Sequence, residues 1–216
     1  MEASRMPGPG PREADVAPAP DPTGGRAAGA WTPADPGPLG LAGFAATTFV
    51  LSLVNANLVG MRSIAAVLPL ALAYGGLAQL LAGMWEFRTG NTFGAVAFSS
   101  FGAFWISFYF LVKVVGIAVV GPHGVSLYLW AWAIFTTYMF LASLRTTAAI
   151  SLVFLLLAAT FILLAIGLMG KGHTSITHAG GYVGLVTAAV AWYASFAAVL
   201  NSTFGRVLAP VVPLRR

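Results

Sequence analysis

Residues 147–169 read TAAISLVFLLLAATFILLAIGLM and contain no charged side chain. The hydrocarbon core of a bilayer is about 30 Å thick, and a helix needs roughly 20 predominantly apolar residues to cross it. This stretch meets both the length and the composition, so it predicts a membrane-spanning helix and decides the class of the fold.

Stretches of comparable length and apolar character lie on both sides of it, at residues 39–59, 64–87, 92–115, 125–144 and 178–201. The connections between them are short, which favours antiparallel packing of successive helices. We therefore predict an all-α membrane protein in which residues 39–204 form a bundle of six transmembrane helices, with the lipid bilayer as its surroundings.

The composition supports this prediction. Hydrophobic residue types make up 58% of the chain and charged types 8%, whereas a soluble domain carries about 25% charge. The net charge is +5, but its cations stand singly at the edges of apolar stretches and form no run that could follow a phosphate backbone. No nucleic-acid partner is expected, and the lack of cysteine excludes disulfides and thiolate sites.

The distribution of Lys and Arg predicts the orientation, because cytoplasmic loops carry an excess of both. With the N terminus inside, two cations lie outside, Arg62 and Lys171, and Lys113 lies near the outer end of the third helix. The inside set is larger and comprises Arg26, Arg88, Arg145, Arg206, Arg215 and Arg216. We expect a multi-pass protein of the plasma (inner) membrane with both termini in the cytoplasm.

The two ends of the chain are read as tails. Residues 1–38 hold nine of the thirteen prolines, and such a segment buries too little apolar surface to offset its ordering entropy. It is predicted to be a disordered cytoplasmic tail, inert or with a regulatory or docking role. Residues 205–216 are predicted to be a short basic cytoplasmic tail.

Catalytic and metal-binding patterns are missing from the sequence. None of His123, His173 and His178 belongs to an H-E-x-x-H motif, and no G-x-S-x-G elbow occurs. The chain is therefore not expected to be an enzyme, and no catalytic residue, metal site or cofactor is predicted.

Polar side chains inside the spans indicate where a solute would pass. The candidates for a substrate pathway are Thr47, Thr48, Asn55, Tyr74, Gln79 and Ser100, and those for a pore mouth are Asp35, Glu86, Asn91 and Thr92. Hydroxyls and amides would bind a small carboxylate weakly enough to let it leave. Hydrogen bonding between helices is the alternative for each polar residue, and pairing with Arg88 or a helix end is the alternative for Glu86.

Four stretches in order resemble the acetate uptake transporter family of bacteria and fungi. They are DPGPLGLAGF at residues 35–44, YGGLAQLLAGMWE at 74–86, GNTFG with SSFGAFW at 90–105, and NSTFGR at 201–206. The resemblance implies six helices around a central pore in each protomer and assembly into a hexamer. It also implies transport of acetate and related small monocarboxylates, with succinate as a further candidate, by a channel or a proton-coupled permease.

The family's pore narrows at a Phe-Leu-Tyr constriction. The resemblance of the motifs implies that these three positions correspond to Phe44, Leu157 and Phe101 in this chain. The chain departs from the family pattern twice. Asp35 stands where the family has Asn, and Phe101 stands where it has Tyr. A ring without the hydroxyl would be drier, which shifts the expected substrate range toward more apolar acids.

Two other classes of function stay open from the residues alone. The transported solute could be a different small species such as ammonium or ammonia. The chain could also be a sensor or scaffold that transports nothing and acts through its N-terminal tail. A membrane enzyme is the least supported class, because the catalytic groups are missing.

Overall fold

The computed structural model describes residues 31, 33–169 and 173–214. Its internal contacts divide the chain into two units, Met1–Thr32 and Pro33–Arg216. Trp31 is the described residue of the first unit, so most of the N-terminal tail expected at residues 1–38 lies outside the described residues.

Six helices of the described residues are long and apolar enough to cross a membrane, which confirms the predicted fold class. They are α1 Gly37–Asn55, α2 Met61–Thr89, α3 Thr92–Val115, α4 Ile117–Ser143, α5 Ala148–Met169 and α6 Thr174–Phe204. Each helix packs against the next one along the chain, and α6 packs against α1, so the six form a closed ring. The backbones of α3 and α4 approach least, and aromatic side chains such as Phe104 and Trp132, with ring centroids 5.0 Å apart, fill the space between them.

Three helices, α1, α4 and α6, have an end that lies four or more residues from its predicted position. Helix α1 ends at Asn55 rather than 59, because Asn57 adopts a left-handed conformation with φ of 59°. Helix α4 begins at Ile117 rather than 125, with a break at Gly121 (φ 70°, ψ 167°) before Pro122. Proline disfavours a helical conformation at the residue before it, so regular helix resumes close to the predicted start. Helix α6 extends the predicted 178–201 at both ends and stops at the left-handed Gly205.

Glycines allow the close approach of the first two helices. A Cβ atom on Gly43 of α1 would lie 2.5 Å from the carbonyl oxygen of Tyr74, and one on Gly75 would lie 2.5 Å from Thr47 Oγ1. Tyr74 and Gly75 belong to a π-helical turn of α2, Ala73–Ala78. This turn is therefore packed tightly against α1, as small residues permit in membrane bundles.

The C-terminal segment, residues 207–214, returns to the bundle after α6. The Asn201 side chain accepts hydrogen bonds from the backbone N–H groups of Leu208 (2.7 Å) and Ala209 (3.0 Å) and donates one to the Ala209 carbonyl (2.8 Å). Farther along, the Leu214 N–H donates to the Thr146 carbonyl at 3.0 Å. The segment therefore joins the end of α6 to the loop between α4 and α5.

Candidate functional site

A cavity of about 700 Å³ occupies one end of the ring. At this end, called here the cavity end, α1, α3 and α5 finish and α2, α4 and α6 begin. Its lining is predominantly apolar and comes from all six helices, and includes Phe44, Thr48, Asn55, Met61, Ile64, Phe104, Trp105, Val112, Pro122, Tyr128, Leu157, Phe161 and Thr177. Such a cavity is large enough for a small organic solute together with several water molecules.

The three residues expected to form the constriction are buried and belong to one hydrophobic core cluster. Phe44 and Leu157 line the cavity. The ring centroids of Phe44 and Phe101 are 5.9 Å apart, and Phe101 is not among the described residues that line the cavity. Phe101 therefore lies behind the cavity wall, in contact with Phe44.

Phe101 is also the centre of an aromatic cluster that the sequence analysis did not identify. Its ring centroid lies 6.0 Å from Trp132, 5.3 Å from Phe135, 6.0 Å from Phe154 and 6.5 Å from Phe161. These partners come from α4 and α5, which are apolar on every side, so no periodicity in the sequence distinguishes their inner faces. The cluster fills the middle of the bundle with apolar rings.

The six residues expected along a substrate pathway occupy different environments. Thr48 and Asn55 line the cavity, whereas Thr47, Tyr74, Gln79 and Ser100 are not among its described lining residues. The Thr47 hydroxyl donates to the Gly43 carbonyl of its own helix at 2.9 Å. Gln79 is fully buried, and Ser100 is half-buried.

Four buried polar atoms in the described part of the chain have no hydrogen-bond partner: Thr48 Oγ1, Gln79 Oε1, Ser99 Oγ and Trp105 Nε1. All four lie on α1, α2 and α3. Buried polar atoms are nearly always paired, and an unpaired one calls for an explanation such as a water molecule or a ligand. Two of the four, Thr48 and Trp105, belong to residues of the cavity wall, although the unpaired atoms themselves are buried within that wall.

The four residues expected at a pore mouth meet at the opposite end of the ring, called here the Glu86 end. The Glu86 carboxylate is buried and accepts hydrogen bonds from Asn91 Nδ2 at 2.9 Å and Thr89 Oγ1 at 3.1 Å. Asn91 caps α3 by accepting from the Gly94 N–H, and the exposed Thr92 is the first residue of that helix. Glu86 is thus held by the turn between α2 and α3, in agreement with the helix-end alternative.

Asp35 is exposed and accepts a hydrogen bond from the Gly37 N–H at 2.8 Å. A Cβ atom on Gly37 would lie 3.0 Å from Asp35 Oδ1 and 3.5 Å from Glu86 Oε1. The start of α1 therefore stands between the two carboxylates. No group of three His, Cys, Asp or Glu side chains that could hold a metal ion occurs among the described residues.

Six apolar helices, a cavity reached by all of them and an aromatic cluster beside it are the features of a multi-pass membrane protein of the small-solute channel or permease class. The chain belongs to the GPR1/FUN34/yaaH family, whose model matches residues 23–216. This membership confirms the family resemblance seen in the four sequence motifs.

Relatives of known name agree with this class. The chain is 42% identical over 198 residues to Acetate permease A of Emericella nidulans. The matched region covers 82% of this chain but only 65% of the fungal protein. It is 38% identical over 181 residues to the Succinate-acetate/proton symporter SatP of Escherichia coli, covering 82% of this chain and 95% of that protein. The solved structure of the bacterial acetate channel SatP superposes with a TM-score of 0.78 at 37% identity, covering 83% of this chain and 99% of that one.

Proposed function

We propose that this chain passes acetate and related small monocarboxylates, with succinate near the upper size limit, across a membrane through a neck formed by Phe44, Phe101 and Leu157. The observation that carries the proposal is the ring contact of Phe44 with Phe101, 5.9 Å between centroids, at the wall of the 700 Å³ cavity. The names of the relatives, an acetate permease, a succinate-acetate/proton symporter and an acetate channel, support the same substrate class.

The physical task of such a neck is selection by dehydration. A carboxylate that sheds its water in an apolar ring loses many kcal/mol of hydration unless another group compensates. Acetate presents a methyl group to the ring, which an inorganic anion cannot do. Its carboxylate either keeps part of its hydration while it contacts hydroxyls such as that of Thr48, or it crosses together with a proton.

Because this chain has Phe101 where the family has a tyrosine, the proposed neck lacks a hydroxyl and is drier. A dry ring penalises a hydrated anion more and an apolar chain less. The proposed substrate range therefore extends toward acids with longer alkyl chains, and the predominantly apolar lining of the cavity fits such chains. The carboxylate of Asp35 at the Glu86 end disfavours anions there unless nearby arginines offset it.

The topology proposed with this function has both termini in the cytoplasm of a plasma-membrane protein. The cavity end then faces outward and the Glu86 end faces the cytoplasm. A hexamer is the proposed assembly, with one pore in each protomer. Residues 1–38 and 205–216 are the proposed tails, and 39–204 the proposed transport domain.

Reconstitution into vesicles tests the function. The full chain is incorporated into proteoliposomes, and initial uptake of labelled acetate, succinate and ammonium is measured at several pH values. We expect acetate uptake above that of empty vesicles, competition by propionate and no competition by ammonium. Competition by ammonium instead of propionate would assign the chain to the other class of solute.

The same vesicles separate the two transport modes and the scaffold alternative. A proton-coupled permease accelerates acetate uptake when an inward proton gradient is imposed, whereas a channel responds only to the gradient of acetate and the voltage. A chain lacking residues 2–34 is expected to retain full flux. Loss of flux in this truncated chain would favour a role of the tail.

A further inference from the structure

The charges of the described residues are distributed asymmetrically between the two ends of the ring. The carboxylates of the described residues are Asp35 and Glu86, and both lie at the Glu86 end. Glu86 follows Arg62 by 24 residues in the same helix, which places it about 36 Å away at 1.5 Å per residue. The Debye length at physiological salt is about 8 Å, so neither carboxylate offsets a cation at the cavity end.

Two cations stand next in sequence to residues of the cavity wall. Arg62 lies in the turn that opens α2, between the lining residues Met61 and Ile64, and its side chain is exposed. Lys113 lies in the π-helical turn that closes α3, directly after the lining residue Val112, and it is exposed as well. The two positions belong to different helices, and both lie at the cavity end.

The topology gives no reason for these cations. Lys and Arg are biased toward the cytoplasmic side of membrane proteins, and the proposed orientation places Arg62 and Lys113 outside. The other titratable side chains of the described residues at this end are histidines and tyrosines, among them His123, His173, His178 and Tyr128, and none of them is a carboxylate. The described charges at the cavity end are therefore positive.

We propose that Arg62 and Lys113 form a cationic rim that collects carboxylate anions into the cavity and holds back cations such as ammonium. The proposal rests on the proposed function and names the species that enters. The substrate is captured as the carboxylate anion and not as the neutral acid. Charged clefts of this kind raise the local concentration of a counter-ion and its rate of association, and salt screens the effect.

Coulomb's law gives the expected increase in the local concentration of the anion. Two unit charges placed about 10 Å from an anion would raise its local concentration by about threefold at 10 mM salt, where the Debye length is about 30 Å. At 150 mM salt the same charges raise it by only about 1.5-fold. A neutral acid would show neither increase.

The test measures uptake of labelled acetate, at a concentration far below saturation and at neutral pH, by cells that lack an acetate permease of their own. The cells express the full chain or the double variant Arg62→Gln/Lys113→Gln. The salt concentration varies between 10 and 500 mM at constant osmolarity, with sucrose as the balancing solute. The matched control removes two cations from the Glu86 end, Arg88→Gln/Arg145→Gln, and surface labelling normalises the amount of protein.

The unchanged chain and the Arg88/Arg145 variant should lose uptake by about two- to threefold between 10 and 500 mM salt. The Arg62/Lys113 variant should start about threefold lower and show little dependence on salt. The exchange Arg62→Lys/Lys113→Arg keeps both charges and should restore the dependence. Equal salt dependence in all variants would overturn the rim, as would equal loss in both double variants.

The same uptake measurements distinguish failure of the cationic rim from failure of the proposed function on which it rests. Absence of acetate uptake by the unchanged chain, relative to cells with an empty vector, refutes the proposed function and removes the rim with it. Robust acetate uptake that ignores salt leaves the function standing and refutes the rim alone, because capture of an anion by two exposed cations must weaken as salt rises.

Discussion

Replacement of Leu157 by alanine tests the neck directly. Leu157 is 4% exposed, and its side chain lies at the wall of the cavity, in one core cluster with Phe44 and Phe101. The substitution removes three buried carbon atoms. At about 0.8 kcal/mol each, their burial contributes about 2.4 kcal/mol to the free energy of unfolding. Because the site already borders open space, the added cavity penalty is small, and we expect a loss of stability near the lower end of the 2–5 kcal/mol range.

The effect on flux should differ between substrates. A wider neck lets a carboxylate keep a water molecule that the native ring removes, and a hydrogen bond to a charged group is worth about 1.5–3 kcal/mol. Succinate carries a second carboxylate and is larger than acetate, so it gains more from the added width. We therefore expect the ratio of succinate to acetate uptake to rise by about tenfold or more, since 1.4 kcal/mol corresponds to a factor of ten.

The assay compares labelled acetate and succinate uptake by proteoliposomes that contain equal amounts of folded protein. The control is Leu155→Ala, the same substitution two residues away at a position that is 47% exposed on the outer face of α5. That variant should keep the native ratio. An unchanged ratio in Leu157→Ala, with a monodisperse and cooperatively unfolding protein, would remove this residue from the gate.

The remaining predictions address other parts of the structure. Phe101→Tyr should raise acetate uptake relative to butyrate severalfold in the same vesicles; an unchanged ratio would show that the missing hydroxyl does not decide the substrate range. Asn201→Ala removes three hydrogen bonds to the C-terminal segment and should lower the unfolding free energy by about 1–3 kcal/mol. Protease cleavage of that segment should also become faster, and Asn201→Asp, which keeps the acceptor oxygen, should lose less. Gly43→Ala places a Cβ atom 2.5 Å from the Tyr74 carbonyl oxygen and should cost about 1–3 kcal/mol in thermal unfolding. Gly60→Ala, with nothing within 4 Å of the new atom, should cost far less.

The polar side chains at the two ends of the bundle are hydrogen-bonded to different extents. At the Glu86 end the polar groups are engaged with one another, because Asn91 holds both Glu86 and the start of α3. At the cavity end the wall is apolar and two of its residues carry unpartnered polar atoms. Two of the four unpaired polar atoms of the described residues therefore belong to the cavity wall, and the other two, on Gln79 and Ser99, do not.

The sequence predicted the six spans well because the bilayer imposes a length and a composition that each segment meets by itself. Residues 147–169 and the observed helix Ala148–Met169 differ by one residue at the start. The errors occur where backbone geometry overrides hydropathy, as at Gly121 and Asn57, whose positive φ values no apolar count can reveal.

The constriction residues came from family motifs and not from the pattern of the spans. Phe44 and Phe101 are separated by 57 positions, and nothing local indicates that their rings touch. The aromatic partners on α4 and α5, such as Phe135 and Phe154, were not predicted at all. Whether the three constriction residues gate a solute stays a prediction.

The sequence by itself determined that this chain crosses a membrane six times, because each apolar segment satisfies the bilayer independently of the others. Only the tertiary structure decided which side of each uniformly apolar helix faces inward, where the cavity lies and which polar atoms stay without partners. Those features depend on the close approach of helices at their glycines. Such contacts form between segments that are distant in the chain, so the sequence of a single segment does not reveal them.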